Sequence, residues 1–261
     1  MNILITGARS NLGYNYAKEL AKRGHIVYVG VKTLNQKSTL EKRLDEEKII
    51  MFPIVLDLDE NDFSIIDTLN LDAIILQASK GEGGSILEIN YKRVEANINT
   101  NILGNFKIIQ RYLRYCYYNN KKGKIFLTSS LASLIPLPYL FSYTSSKLYL
   151  LQLAKTLKIE LFYQNIDVKI SLIMPGAYYT GFNDLMIDNK EKDSYILRNK
   201  AIKMTKYQKI LFALFESYDY KDITIKVVKE IEKTNPKFII SRPYYQKLFV
   251  KIYMIISSFI V

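Results

Sequence analysis

The sequence predicts an α/β fold, a doubly wound parallel sheet of about seven strands with helices on both faces. Its apolar runs are short and mostly continuous, as in strands that are buried on both faces. Segments with helical periodicity separate these runs, and repeated β–α alternation is typical of a parallel sheet. The predicted strands are 2–6, 25–31, 49–57, 73–78, 124–129, 168–174 and 237–241. The predicted helices are 12–23, 36–46, 62–69, 90–119, 143–164 and 222–233.

The composition fits one domain and excludes several kinds of site. A chain of 261 residues is long enough for a sizeable core and short for two domains. Its one cysteine excludes an internal disulfide and a Cys-based zinc site. A Ser–His–Asp triad would have to use the one histidine, His25, and the sequence has no Gly-x-Ser-x-Gly segment to supply the serine. We therefore expect no metal, and we expect acid–base chemistry to come from Tyr, Lys or carboxylates.

The net charge of +12 fits a phosphate-bearing ligand, an anionic membrane surface or a solvated basic surface. No basic run or nucleic-acid motif is present, so no nucleic-acid partner is expected. The chain opens on MNILITGA, a strand and a turn rather than a signal peptide, and it has no run of about 18 apolar residues. These observations predict a cytoplasmic protein.

Two segments fall outside the strand–helix rhythm. Segment 181–221 follows the sixth predicted strand and is too long for a simple turn, so we interpret it as a long loop that forms a substrate-binding lid, with a surface insertion as the alternative. The tail, 246–261, is unusually apolar. Three interpretations of the tail stay open. It packs on its own domain or on a partner subunit, it makes peripheral contact with a membrane interface, or it is disordered.

A predicted anion site lies where the first strand meets the first helix, in TGARSNLG. Backbone N–H groups and the positive end of a helix dipole face a ligand at such a turn. Gly7 allows the tight turn and Gly13 allows close helix packing. Asn11, which tolerates positive φ, stands where the middle glycine of the usual fingerprint would be. The residues of this turn predicted to bind a cofactor are Gly7, Arg9, Ser10, Asn11, Leu12 and Gly13.

The end of the second strand, VGVKTLNQ, indicates which dinucleotide is preferred. An acidic residue there would bind the adenosine ribose of NAD(H), but the sequence has Lys32 instead. A cation favours a 2′-phosphate, and Arg9 in the glycine turn is a second candidate for it. The sequence therefore predicts NADP(H), with NAD(H) as the alternative; two merely solvated cations are the competing interpretation.

Several motifs in the right order resemble the short-chain dehydrogenase/reductase family, in its single-domain type with a Rossmann-like fold. The motifs are TG-x5-G at 6–13, Ser130, Tyr143-x-x-x-Lys147 and Pro175-Gly176-x-x-x-Thr180. The resemblance covers roughly residues 2–182. Two departures are Asn11 and the segment 76–79, which reads Leu-Gln-Ala-Ser where the family has Asn-Asn-Ala-Gly.

The resemblance implies a catalytic set. Tyr143 would be the acid–base group, Ser130 would bind the substrate oxygen, and Lys147 would bind the nicotinamide ribose. A phenol has a pKa of about 10, and we expect the ammonium of Lys147, one helical turn away, to lower it. Asn101 in NILG resembles the family's fourth catalytic residue, which holds a water in the proton relay; Asn97 and Asn99 lie close by and leave that assignment open.

The resemblance also implies further cofactor contacts. Asp57 stands where the family has an Asp near the adenine, and Tyr178 and Thr180 would meet the nicotinamide end. The cofactor-binding residues predicted outside the glycine turn are Lys32, Asp57, Leu58, Ala78, Ser79, Tyr143, Lys147, Pro175, Gly176, Tyr178 and Thr180.

The predicted reaction interconverts a ketone or aldehyde and an alcohol on a hydrophobic substrate, such as an acyl, lipid-like or steroid-like compound. The expected pocket residues are apolar: Leu131, Leu134, Ile135, Leu137, Tyr139, Leu140, Tyr178, Tyr179, Phe182, Met186 and Ile187. The resemblance implies a homodimer or homotetramer. The alternatives are a non-catalytic NAD(P)-binding scaffold or redox sensor, and a nucleotide-sugar epimerase or dehydratase.

Overall fold

Seven strands form one all-parallel sheet in the computed structural model, which describes residues 1–257. The strand order is β3-β2-β1-β4-β5-β6-β7. The strands are β1 Asn2–Thr6, β2 Ile26–Val31, β3 Phe52–Val55, β4 Ala73–Leu76, β5 Gly123–Thr128, β6 Val168–Pro175 and β7 Ile239–Arg242. The chain runs outward from β1 to β3 and then returns to place β4 beside β1, so the switch in strand order opens a cleft beyond the carboxyl ends of β1 and β4.

Helices cover both faces of this sheet, which confirms the predicted fold class. The helices are α1 Asn11–Lys22, α2 Leu34–Glu47, α3 Tyr91–Ile98, α4 Asn105–Tyr118, α5 Phe141–Tyr163, α6 Phe182–Asp188, α7 Arg198–Phe215, α8 Lys221–Glu232 and α9 Tyr244–Ser257. On one face Tyr16 of α1 and Val227 of α8 are fully buried against the strands. On the other face Tyr112 of α4 and Leu150 of α5 fill the equivalent layer.

Two predicted elements near β3 differ from the structure. The strand predicted at 49–57 is shorter, Phe52–Val55, and it is an edge strand that pairs only with β2. Pro53 lacks an N–H group and is tolerated at such an edge. The helix predicted at 62–69 is wrong: the segment forms one 3-10 turn, Ser64–Asp67. Asp62 accepts from the Ser64 N–H at 2.8 Å, which starts the turn, and only two residues separate its end from the positive φ of Asn70.

The segment 181–221 contains α6 and α7 rather than a long loop. Residues 198–215 hold no glycine or proline, so nothing interrupts the helix. Ala201, Thr205 and Gln208 are buried at helical spacing, which seats α7 on the domain. The predicted helix 90–119 is present as α3 and α4, joined by a π-helical turn, Asn99–Gly104.

Helix α9 begins the apolar tail. Gln246 and Val250, one turn apart, are buried against the domain, whereas residues 251–255 are all exposed. The first turns of the tail therefore pack on their own domain, and residues 258–261 lie outside the described residues. Within residues 1–257, no helix combines the length and apolar character needed to cross a membrane.

Candidate active site

The glycine turn after β1 is shaped by contact with the end of β4. Gly7 has a φ of 66°, and a Cβ placed there would lie 2.5 Å from the Cα of Ala78, so a larger residue does not fit. A Cβ on Gly13 would lie 2.9 Å from the backbone of the turn itself. Asn11 adopts a φ of 57°, as a glycine would, and its Nδ2 also donates to the carbonyl oxygen of Thr180 at 3.1 Å. The substitution therefore preserves the turn.

The altered segment 76–79 still supports the central sheet. The Thr6 hydroxyl accepts from the backbone N–H groups of Gln77 and Ala78, both at 3.1 Å. The Thr128 hydroxyl donates to Gln77 Oε1 at 2.8 Å, which joins the ends of β4 and β5. The Gln side chain thus links the neighbouring strands at the place where the family has an Asn.

Asn101 lies in the π-helical turn, fully buried behind the cleft. Its Oδ1 accepts from Ser79 Oγ at 3.1 Å and from the Lys80 N–H at 2.8 Å. Its Nδ2 donates to the Lys80 carbonyl oxygen at 2.9 Å and to Ser146 Oγ at 3.1 Å. The side chain therefore holds the 79–80 loop against α5, and its catalytic role stays a prediction.

Ser130, Tyr143 and Lys147 come together at the carboxyl end of β5. Ser130 follows this strand, while Tyr143 and Lys147 lie in the first two turns of α5 on its buried face. The Lys147 ammonium donates to the Thr128 carbonyl oxygen at 3.0 Å and lies 5.7 Å from the centroid of the Tyr143 ring. The pair is therefore positioned by the strand on which the helix packs.

Burial sets the pKa values of this pair. It raises the pKa of the Tyr143 phenol to about 12, against the lowering effect of a hydrogen bond with Ser130. It lowers the pKa of the Lys147 ammonium to about 7. The predicted lowering of the phenol pKa by Lys147 is therefore not produced by this chain on its own, because desolvation of the phenol is the larger effect.

The end of β2 carries a cluster of charges rather than a free cation. Lys32 Nζ lies 2.7 Å from Asp59 Oδ2 and 3.3 Å from Asp57 Oδ2, and these carboxylates raise its pKa, with the Asp59 hydrogen bond foremost. Lys80 Nζ lies 2.8 Å from the same Asp59 oxygen, and the Thr100 hydroxyl donates to that carboxylate. Burial acts to raise the pKa of Asp59, but these hydrogen bonds outweigh it and hold the pKa below its usual range.

One cavity of about 690 Å³ joins the glycine turn to the Ser–Tyr–Lys cluster. Every predicted cofactor-binding or catalytic residue except Asn101 lines it. These residues are Gly7, Arg9, Ser10, Asn11, Leu12, Gly13, Lys32, Asp57, Leu58, Ala78, Ser79, Ser130, Tyr143, Lys147, Pro175, Gly176, Tyr178 and Thr180. Ser10 caps α1 without a side-chain hydrogen bond, so the first N–H groups of that helix face the cleft unsatisfied by the cap. The cavity therefore fits a dinucleotide with its pyrophosphate at α1.

The apolar part of the cavity agrees in part with the predicted substrate pocket. The expected residues that line it are Leu131, Ile135, Leu137, Tyr178, Phe182 and Met186. The expected residues that do not line it are Leu134, Tyr139, Leu140, Tyr179 and Ile187. Tyr179 is half exposed, and its ring contacts the ring of Tyr218 instead of lining the cavity.

Helices α7 and α9 contribute a further wall; the sequence indicated segment 181–221, which contains α7, without naming these residues, and it missed α9. The residues of this wall are Leu211, Phe212, Phe215, Gln246, Phe249 and Val250. Gln246 accepts from the Ala177 N–H at 2.6 Å and donates to the Phe215 carbonyl oxygen at 2.6 Å. It thereby fixes α9 against the loop after β6. The available signal was the helical i, i+3, i+4 spacing of 246, 249 and 250.

Arg93 of α3 holds the first half of segment 181–221 in place. Its guanidinium pairs with the carboxylates of Glu82 and Asp193. It also donates to the carbonyl oxygens of Gly83 at 3.0 Å and Asn189 at 2.8 Å. Three separate segments therefore meet at one side chain.

Comparison with known proteins identifies the family. The chain belongs to the short-chain dehydrogenase/reductase family, because the family model described as short chain dehydrogenase matches residues 1–191. Members of this family are oxidoreductases that bind NAD(P).

The relatives it resembles include reductases of lipid-like compounds. A 3-ketodihydrosphingosine reductase of Bacteroides thetaiotaomicron is 28% identical over 190 residues, which cover 70% of this chain and 65% of the relative. A very-long-chain 3-oxoacyl-CoA reductase of Scheffersomyces stipitis is 30% identical over 183 residues, 64% of this chain and 53% of the relative. The match thus spans less than two thirds of the length of either relative.

Solved structures share the fold across nearly the whole chain. A short-chain dehydrogenase/reductase from Burkholderia phymatum in complex with NAD has a TM-score of 0.78 at 18% identity, covering 96% of this chain and 92% of its own. A single-substitution variant of actinorhodin polyketide ketoreductase with NADPH has a TM-score of 0.72 at 18% identity, covering 92% of this chain and 94% of its own.

Proposed function

We propose that the protein is an NADP(H)-dependent reductase that interconverts a ketone or aldehyde and an alcohol on a hydrophobic acyl, lipid-like or steroid-like substrate. One observation carries the proposal. Ser130, Tyr143 and Lys147 meet in the wall of a cavity that has a glycine-turn cleft on one side and apolar side chains on the other.

The residues of the cluster divide the chemistry between them. The bound cofactor supplies the hydride for the carbonyl carbon and, when oxidised, a positive charge. Ser130 donates a hydrogen bond to the substrate oxygen and holds it beside Tyr143, whose hydroxyl gives that oxygen its proton. Lys147, with its pKa near 7, is poised to carry charge next to the phenol, and cationic charge there lowers the pKa that burial raises.

The preference for NADP(H) rests on charges at the adenosine end. Arg9 and Lys32 line the cavity there, and no acidic residue ends β2. Asp57 and Asp59 offset part of the Lys32 charge, so NAD(H) is the second candidate. A hydrophobic substrate is supported by the apolar lining of the inner cavity and by the lipid-like substrates in the names of the two relatives described above.

Turnover of a substrate panel tests the proposal. Loss of nicotinamide absorbance is followed with NADPH or NADH and a long-chain 3-oxoacyl thioester, a long-chain ketone or glucose. We expect NADPH-dependent turnover of the apolar carbonyl compounds only. Replacement of Tyr143 by Phe should lower kcat at least about 100-fold with an NADPH affinity within about twofold of the parent. Tyr149→Phe, which changes an exposed tyrosine on the same helix, is the matched control.

Three results would contradict the proposal. Turnover of glucose alone would exclude the apolar substrate class. NADPH binding without turnover of any compound would favour a scaffold or redox sensor. Conversion of a nucleotide sugar without net consumption of NADPH would favour an epimerase or dehydratase.

An assembly through α4 and α5 is also proposed, because both helices present apolar side chains to solvent. These are Phe106, Tyr117, Tyr118, Leu148, Tyr149, Ile159, Phe162 and Tyr163. Light scattering should give the mass of a homodimer or homotetramer, and Phe162→Asp should reduce it; a monomer at micromolar concentration would exclude this assembly.

A further inference from the structure

Helices α7 and α9 separate the inner cavity from solvent. Phe212 and Phe215 of α7 line the cavity, as do Phe249 and Val250 of α9. The rings of Phe215 and Phe249 have centroids 5.0 Å apart, and Tyr245 Oη donates to the Phe215 carbonyl oxygen at 2.9 Å. The end of α7 therefore packs on the first turns of α9 at the wall of the cavity.

The outer faces of the same two helices are apolar as well. On α7, Tyr207, Ile210 and Leu214 form a stripe at helical spacing, and Ile210 and Leu214 are 64% and 77% exposed. On α9, Leu248 and Ile252 lie one turn apart and are 60% and 48% exposed. Exposed apolar side chains of this size on two helices that touch each other indicate an interaction surface.

The charges on this surface all have one sign. Residues 198–215 and 244–257 contain seven basic residues and no acidic ones. The basic residues are Arg198, Lys200, Lys203, Lys206, Lys209, Lys247 and Lys251. Of these, Lys209 pairs with Asp188 of α6.

We propose that the α7–α9 surface, residues 198–215 and 244–255, docks on an anionic lipid bilayer. Apolar side chains would enter the boundary between headgroups and acyl chains, while the long lysine side chains would reach the phosphates. A second copy of the chain would bring the same positive charges against it, so charge complementarity favours the bilayer. The wall shared with the cavity would then face the phase that dissolves an apolar substrate.

Docking on a bilayer does not depend on the proposed reductase function, whereas delivery of substrate through this wall rests on that function. The test therefore measures binding alone. The full chain is sedimented with vesicles of phosphatidylcholine, or of phosphatidylcholine with phosphatidylglycerol, in the absence of cofactor and substrate. We expect binding to the anionic vesicles that weakens at least tenfold on neutral vesicles or in high salt.

Two variants locate the surface. The charge-reversed pair Lys203→Glu and Lys206→Glu should weaken anionic vesicle binding at least tenfold, and the pair Leu214→Ser and Leu248→Ser should do the same. Ile50→Ser, which changes an equally exposed apolar side chain just before β3, should leave binding unchanged. NADPH binding and circular dichroism report whether each variant is folded, so a loss of binding cannot be mistaken for unfolding.

Three outcomes would overturn the docking proposal. The first is that the full chain does not sediment with anionic vesicles at low salt. The second is that both α7–α9 variants bind anionic vesicles as tightly as the parent does. Finally, the Leu214→Ser and Leu248→Ser variant would turn a dimer into a monomer without a change in vesicle binding, which would assign the surface to a second copy. None of these depends on turnover, so failure of the docking and failure of the proposed function are distinguished.

Discussion

The charge cluster at the end of β2 leads us to expect that Asp59 influences the preference between NADP(H) and NAD(H). Asp59→Asn keeps the size of the side chain and removes the carboxylate that occupies Lys32 and Lys80. Because a 2′-phosphate oxygen would contact the same ammonium as Asp59, it would lie about 5 Å from the carboxylate. Two unit charges at about 5 Å in water-like surroundings repel by about 1 kcal/mol. This dielectric is appropriate because the side chains of Lys32 and Asp59 are 47% and 29% exposed.

We therefore expect Asp59→Asn to tighten NADPH binding about fivefold and to change NADH binding less than about twofold. Titration by nicotinamide fluorescence measures both, and the gain should shrink in high salt because the surface is screened. Glu60→Gln is the matched control. It removes one negative charge from the neighbouring residue, whose exposed carboxylate does not line the cavity. Equal tightening of NADH, or weaker NADPH binding, would refute the reasoning and show that Asp59 orders the site instead of competing for its cations.

Two further expectations concern stability. Gly176→Ala would put a Cβ 1.9 Å from Gln246 Oε1 and displace its hydrogen bonds, so we expect the free energy of unfolding in urea to fall by about 2–3 kcal/mol. In a Gln246→Ala background the same change should cost less than about 1 kcal/mol; equal costs would contradict the contact. Lys147→Met should stabilise the protein by about 1–2 kcal/mol at pH 7, since the buried ammonium has its pKa lowered from 10.5 to about 7. Between pH 7 and 10.5 the Lys147 amine is protonated in the unfolded chain and neutral in the folded chain, so the stability of the parent rises with pH. The stability advantage of Lys147→Met should therefore shrink as pH rises. An advantage that grows with pH would contradict the assignment.

The sheet and the cleft could be predicted because their signals are local. A run such as AIIL in β4 is apolar at every position, as a strand covered on both faces must be. The positive φ of Gly7 and Asn11 could likewise be expected from the residue types in the turn. Helices α6 and α7 were harder, because α7 rests on the domain partly through Thr205 and Gln208, polar side chains that blur its apolar pattern.

The electrostatics of the site could not be predicted because they depend on residues far apart in sequence. Lys80 reaches Asp59 across 21 positions, and no spacing rule links them. Lys147 stands one turn from Tyr143, as the sequence indicated, yet burial by the surrounding strands and helices raises the phenol pKa. The charge on Lys32 is likewise offset by Asp57 and Asp59, which the sequence places about 25 residues away.

The ion pairs of Arg93 determine which part of the region over the cavity can open. One guanidinium serves as counterion to Glu82, which follows β4, and to Asp193, which follows α6. A hinge motion that swung the 189–193 turn outward would strip one carboxylate of its cation, and breaking such a pair is costly when it is partly buried. Opening that half of the segment therefore separates opposite charges. Parting α7 from α9 separates none: it breaks the ring contact between Phe215 and Phe249 and two neutral hydrogen bonds to the Phe215 carbonyl oxygen.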